Sequence, residues 1–246
     1  MRDTTTAEAP SELHDPEHRH RDVRKGGARA AVFGVSDGLV SNASLVLGME
    51  GAHPAVAAVR LAGLAGLFGG ALSMAAGELI SMRAQAELLE RELEVERAEI
   101  ARHFDGEHRE LQMIYERRGI APAVAYELAS EMMATPERAL ETHAREELGI
   151  DPDELGSPVT AAGASFASFA LGALVPLVAV LAVSGAAGAV LAVVASGAAA
   201  LLVGVTLAYF SGRPPWRSAV RQLAVCAAAA TVTFGIGTLV HHLGVL

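Results

Sequence analysis

Glu96 and Glu99 stand three residues apart, as do Glu107 and Glu110, and on a helix that interval puts two side chains on one face. Two such helices packed antiparallel across a turn at 103–106 would bring four carboxylates together. Hard or borderline divalent cations want an oxygen cluster of that kind, as in carboxylate-lined di-iron bundles. The alternative is a solvated acidic face, with Arg97, Arg102 and Arg109 available as ion-pair partners. Spacing alone favours the solvated face.

A second group lies in apolar sequence. Asp37 falls within Gly34-Val35-Ser36-Asp37-Gly38, where an ionisable side chain in a membrane helix costs about 2.5–3.5 kcal/mol on insertion scales and normally faces a partner or an aqueous path. At 100° per residue, Gly34, Asp37, Ser41, Ser44 and Gly48 share one stripe. That stripe is either a close helix–helix contact or the wall of a cation route, and the carboxylate favours the route. Gly63, Gly66, Gly70, Met74 and Gly77 form a small-residue face on the next apolar segment, with Glu78 one turn beyond Met74. Met74 is either filler or, facing the Asp37 stripe, a thioether suited to a borderline ion such as Fe(II). The tail histidines His14, His18 and His20, and His53, His241 and His242 at the far boundary, are weaker candidates for metal binding.

The elements that position these groups follow from where the charges are. Residues 1–29 carry 12 of the 47 charged side chains and residues 83–157 carry 28. The other 142 residues carry only Asp37, Glu50, Arg60, Glu78, Arg213, Arg217 and Arg221. A membrane helix needs roughly 20 mostly apolar residues, and five stretches qualify, near 30–50, 55–82, 158–183, 186–211 and 218–241. His53-Pro54 and Ser184-Gly185 supply breaks. The fold class is therefore all-α, a polytopic membrane protein with five transmembrane helices and a helical domain inserted between the second and third. The parts are a polar tail (1–29), helices one and two (30–82), an acidic domain (83–157) and helices three to five (158–246).

Orientation follows from basic flanks. Arg21, Arg24, Lys25 and Arg29 precede the first span, and Arg213, Arg217 and Arg221 lie between the fourth and fifth. Five spans put both clusters on one side, which places the tail and residues 83–157 in the cytoplasm and the C-terminus on the far side. Tyr209, Phe210 and Trp216 mark the same boundary. The polar first 29 residues lack the apolar core of a cleavable signal. Arginine occurs 18 times and lysine once, the bias of a GC-rich bacterial genome, and the expected location is a bacterial plasma membrane.

Residues 83–157 hold 19 acids against nine arginines. No Gly or Pro interrupts Glu78 to Ala101, so the second span runs straight out of the membrane, Asp105-Gly106 breaks it, and a further helix runs from Glu107 to Gly119. Pro122 opens a segment to Ala134, and Thr135-Pro136 reads as N-cap and first residue of another helix that stops at Gly149. The acidic balance argues against nucleic acid as a partner. The lone Cys226 excludes a disulfide framework and a cysteine zinc site. No phosphate-binding loop or nucleophile elbow is present, so nothing points to ATP-driven pumping or to an enzyme of those classes.

Ala31 to Leu39 (AVFGVSDGL), Ser73-Met74-Ala75-Ala76-Gly77-Glu78, the Gly172 to Pro176 stretch and Ser211-Gly212-Arg213 with Arg217-Ser218 together resemble the vacuolar iron transporter family, over nearly the whole chain after the tail. The resemblance implies a five-span homodimer in membrane lipid that exports Fe(II), and Mn(II) with it, from the cytoplasm in exchange for protons. Zn(II) and Co(II) are further candidate ions, and no cofactor beyond the transported metal is expected. It places Asp37 and Met74 on the ion route, matches Glu96, Glu99, Glu107 and Glu110 to four metal-binding glutamates of the inserted domain, and matches Glu147 to a further one. Three departures stand out. His143-Ala144 replaces tandem methionines of plant members, Gly66 replaces a second-span glutamate eight residues before Met74, and the chain's own Met132-Met133 lies elsewhere. His143 can ligate, since imidazole suits iron and zinc, and Glu78 is expected to take over part of the missing carboxylate's role. Two other classes are a membrane-tethered di-iron ferroxidase, which usually adds a Glu-x-x-His pair that the insert lacks where it is needed, and a metal sensor, which the polar stripe inside the spans disfavours.

Overall fold

The computed structural model describes residues 26–149 and 156–244. The tail histidines and Arg21, Arg24 and Lys25 lie outside the described residues. Seven helices follow in order: α1 (Gly26–Gly51), α2 (Val56–Arg117), α3 (Pro122–Met132), α4 (Pro136–Glu146), α5 (Pro158–Ala182), α6 (Ala186–Ser211) and α7 (Pro215–His242). Among the described residues there is no strand. Five helices, α1, α2, α5, α6 and α7, are long and apolar enough to cross a membrane, as the charge segregation predicts.

Local chemistry sets the ends. Proline occupies the first turn of α3, α4, α5 and α7, where its missing N–H costs nothing and its fixed φ is already helical. Thr135 Oγ1 accepts from the Arg138 N–H at 3.3 Å, and Ser157 Oγ accepts from the Thr160 N–H at 3.4 Å, each satisfying a donor that the helix leaves free. Gly185 (φ 67°) turns the chain between α5 and α6, and Gly212 (φ 65°) ends α6, both in a backbone region costly for other residues.

α1 is the central strut. It packs on α2, α5, α6 and α7, and its backbone meets that of α5 directly. A Cβ on Gly38 would overlap the Phe169 carbonyl, and one on Gly172 would overlap the Val35 carbonyl, so two backbones touch where each helix has no side chain. Gly237 of α7 likewise rests on the Gly48 carbonyl. The apolar core beneath gathers Val46, Val59, Leu67, Phe169, Ala173 and Leu177. Arg60, one of the few charges in this part, donates from Nε to the Val180 carbonyl at 3.0 Å, and from Nη2 to the Leu181 carbonyl at 3.2 Å and Ser184 Oγ at 2.9 Å. Its charge is used at the C-terminus of α5, where the helix dipole and unpaired carbonyls favour a cation.

A methyl at Gly38 must push α1 off α5. Gly38→Ala is expected to destabilise the fold by about 3 kcal/mol, the upper end for an overpacked contact. Gly77→Ala, with nothing within 4 Å of the added atom, is expected to be neutral. Melting temperatures of the two variants in detergent check this, and equal values would show that the backbone contact does not matter.

α2 leaves the apolar part without interruption and continues, across one break, to Arg117. Its break falls at His103 (φ −131°, ψ 39°), two residues before the expected Asp105-Gly106. Asp105 and Gly106 instead stay helical at the start of the second arm, where an acid favours the helix N-terminus and glycine costs less than in a helix interior. The bend is sharp. A straight helix would hold Glu96 and Glu107 about 16 Å apart along its axis, yet their ligand oxygens lie within 4.8 Å of each other. α3 and α4 pack on α2 and on each other. They enclose a separate core of Ile100, Leu111, Tyr115, Ala125, Ala129, Met133 and Ala139. The tandem Met132-Met133 is thus spent on packing.

Candidate metal centres

The bend at His103 and the packing of α4 against both arms of α2 create the first centre. Glu96 comes from one arm, Glu107 from the other, and His143 and Glu147 from the end of α4. His143 is fully buried. Its Nδ1 lies 3.1 Å from Glu96 Oε1, 3.3 Å from Glu147 Oε2 and 3.8 Å from Glu107 Oε2. All four residues offer a ligand atom within 4.8 Å of the others, and no second group of three or more His, Cys, Asp or Glu does so among the described residues.

Three carboxylates around one imidazole repel each other, and Glu96, the buried one, is poorly hydrated. Burial pushes the Glu96 carboxyl up to about 7, with His143 opposing and Glu147, Glu107 and Glu110 adding to the rise. Burial raises Glu107 as well, again against His143. His143 Nε2 is buried with no hydrogen-bond partner, and buried Glu96 Oε1 has only its contact with His143 Nδ1. A divalent cation answers the crowding of the acids, because it neutralises them and is held by carboxylate oxygen and imidazole nitrogen together.

Glu99 and Glu110, on the same helix faces as Glu96 and Glu107, stay outside the inner group. Glu99 points to His103 at 3.9 Å. Glu110 lines a neighbouring cavity of about 340 Å³ with Glu146 and Glu147, beside the Arg118–Glu146 ion pair. Both still act on the inner carboxyls electrostatically. Arg97, Arg102 and Arg109 form no ion pair with these glutamates among the described residues; Arg109 Nε donates to the Asp105 carbonyl instead.

The second centre lies between α1, α2 and α5. A cavity of about 280 Å³ is lined by Asp37, Ser41, Asn42, Gly66, Ser73 and Met74, with Leu45, Gly70 and Phe169 completing the wall. Ser41 Oγ donates to Asp37 Oδ1 at 3.1 Å. The sequence stripe of α1 divides in two: Asp37 and Ser41 face the cavity, while Gly34 meets Ser168 of α5 and Gly48 meets Thr233 of α7. Gly63, Gly66 and Gly70 do provide the tight face of α2, against Leu177, Asn42 and Phe169. Glu78 is half-buried and does not line the cavity, and the room left at Gly66 is faced by Asn42 and Leu45. Asn42 was not singled out by spacing. The available signal was an amide inside an apolar run, a polar group that needs an explanation in hydrocarbon.

The far-boundary histidines also come together, with His53 and His241 ring centres 5.1 Å apart and His241 and His242 5.9 Å apart. Their ring nitrogens do not form a compact ligand group like the inner glutamate cluster among the described residues.

Five membrane-length helices, three of them walling a carboxylate-bearing cavity, joined to an acidic helical cluster, define an integral membrane protein. Comparison with known proteins gives the family. Residues 28–238 match the model of the VIT family. The chain is 31% identical to vacuolar iron transporter 1 of Eucalyptus grandis over 87% of this chain and 86% of that protein. It is 31% identical to vacuolar iron transporter 2 of Oryza sativa over 92% and 93%. A vacuolar iron transporter of Acanthamoeba castellanii is 40% identical over 57% of this chain and half of its own length. The chain belongs to the VIT family.

Proposed function

We propose that this protein transports divalent metal ions, Fe(II) and with it Mn(II), out of the cytoplasm in exchange for protons. The observation that carries the reading is the Asp37–Met74 cavity between α1, α2 and α5, in a chain whose relatives are named iron transporters. The inner cluster of Glu96, Glu107, His143 and Glu147 collects the ion on the cytoplasmic side, with Glu99 and Glu110 adding negative charge at its edge. The ion then passes to Asp37 and Met74, with Glu78 between them and the acidic arm along α2. Protonation of Asp37 on the far side favours release and couples the two fluxes. Arg213, Arg217 and Arg221 keep their connection on the cytoplasmic face, and the membrane is a bacterial plasma membrane.

Asp37 and Ser41 are exposed on the single chain, beside the exposed apolar side chains Phe33, Leu45 and Phe68. A carboxylate open to lipid is costly, and a second copy of the chain covers it in a homodimer.

The reading is tested by metal uptake into liposomes with and without a pH gradient, comparing Fe(II), Mn(II), Zn(II) and Co(II). Uptake of Fe(II) and Mn(II) that rises with the gradient, with proton movement in the opposite direction, is expected. Uptake indifferent to the gradient would remove the exchange, and oxygen consumption on adding Fe(II) without uptake would favour the ferroxidase.

A further inference from the structure

One polar atom in the membrane cavity has nothing to satisfy it. Asn42 is 1% exposed, and its Nδ2 donates to the Ala173 carbonyl of α5 at 2.7 Å. That bond fixes the amide, because a carbonyl only accepts and must face the NH2 end. Oδ1 therefore points the other way, and it has no hydrogen-bond partner. What it faces is Gly66: a methyl built there would come within 2.6 Å of Oδ1. Asn42 and Gly66 both line the cavity that holds Asp37, Ser41 and Met74.

The missing side chain at Gly66 leaves the amide oxygen, itself shielded from solvent, at the wall of that space. The other groups around it are chiefly acceptors. The Ser41 proton is already given to Asp37, and the Met74 thioether accepts only weakly. Only the Ser73 hydroxyl keeps a proton to share, and a set this rich in electron-pair donors is complemented by a cation. We propose that Asn42 Oδ1 is a ligand of the divalent cation in this cavity, a neutral oxygen beside the Asp37 carboxylate and the Met74 thioether. The proposal rests on the reading of the cavity as the ion route.

A neutral amide does two things there that a carboxylate would not. It adds an oxygen without a second negative charge, so a bound ion keeps net positive charge and leaves more readily. It also tips the site towards hard ions, since carbonyl oxygen suits Mn(II) whereas thioether sulfur suits softer metals.

The test compares Mn(II) with Cd(II), a soft probe that depends more on Met74, in liposomes carrying the full chain. Asn42→Leu removes the oxygen. Gly66→Ala keeps the amide but brings a methyl within 2.6 Å of Oδ1 and 2.5 Å of Leu45 Cδ2, so the oxygen must turn away from the cavity, and a folding failure of the first variant does not end the test. Both are expected to raise KM for Mn(II) about tenfold and for Cd(II) about twofold, lowering the Mn(II)/Cd(II) ratio of kcat/KM about fivefold. A structural role for Asn42 would change both ions by one factor, and an unchanged ratio in the two variants overturns the proposal. Asp37→Ala in the same assay separates the premises. If it transports Mn(II) at the parent's rate, the route itself is misplaced. If it is inactive while the ratio stays constant in the other two, only Asn42 is misassigned.

Discussion

Asp37→Ala is expected to lower Fe(II) and Mn(II) transport in liposomes by about 100-fold or more, on the scale at which loss of a metal-supporting group acts, while leaving the melting temperature close to the parent's. The two halves of that expectation come from one geometry. Asp37 lines the cavity, and its only hydrogen bond among those found is the one it accepts from Ser41, four residues along its own helix. It joins no ion pair among the described residues, so removing it leaves no buried cation unpaired and opens no apolar core. Its charge is expensive in a membrane helix, and the role left for it is to hold a cation or a proton. Asp37→Asn keeps the shape and removes the charge, so it is expected to be as inactive as the alanine variant. Ser41→Ala, which only loosens the carboxylate, is expected to cost a few-fold. Transport by Asp37→Asn at the parental rate would mean that the charge is not used.

The membrane part was legible because charges are costly there and few are present. Segregating 28 of the 47 charged residues into one segment leaves apolar lengths that only spanning helices explain, and the structure has five of them. Asp37 stands out for the same reason and Met74 by its place on a small-residue face, and the structure puts both on the wall of one cavity. Three features needed neighbours distant in sequence. Asn42 reads as an ordinary polar intrusion until the Ala173 carbonyl, 131 residues away, pins its amide. Periodicity put Glu99 beside Glu96 and Glu110 beside Glu107, but the angle of the bend decides which member of each pair faces inward, and that angle is set at His103 by packing of α3 and α4 on both arms. Turn propensity pointed to Asp105-Gly106, because glycine and aspartate break helices on average. At the first turn of an arm the same residues are tolerated, and the bend moved to where the core required it. The centre of the acidic site, His143, was visible only through the family resemblance, since a histidine in a helix carries no periodic signal.

The inner glutamate cluster makes the second large prediction, in which proton and metal compete for one site. The Glu96 carboxyl is pushed up to about 7 from its ordinary 4.5, first by burial. A folded-state value above the unfolded one means that the folded protein holds a proton where the unfolded chain has lost it. This group's contribution to stability is therefore fully present below 4.5 and disappears as pH rises through about 7, so the metal-free protein is expected to lose stability over that window. A divalent cation needs the deprotonated carboxylate, so its affinity moves the other way. Between about pH 6 and about pH 8, titration of Glu96 alone raises the fraction ready to bind about tenfold. Calorimetric titration of the full chain with Mn(II) should show that rise, together with release of close to one proton per ion at the lower pH. Glu96→Gln should weaken Mn(II) binding at this centre about 100-fold and flatten the remaining pH dependence, with helix content unchanged because glutamine fills the same space. His143→Ala should weaken binding comparably, since it removes the group around which all three inner carboxylates are arranged. The discriminating readout is the pH slope. If Glu96→Gln binds Mn(II) with the parent's affinity and slope, the buried carboxylates are a solvated acidic face drawn inward by packing, and the ion is collected elsewhere.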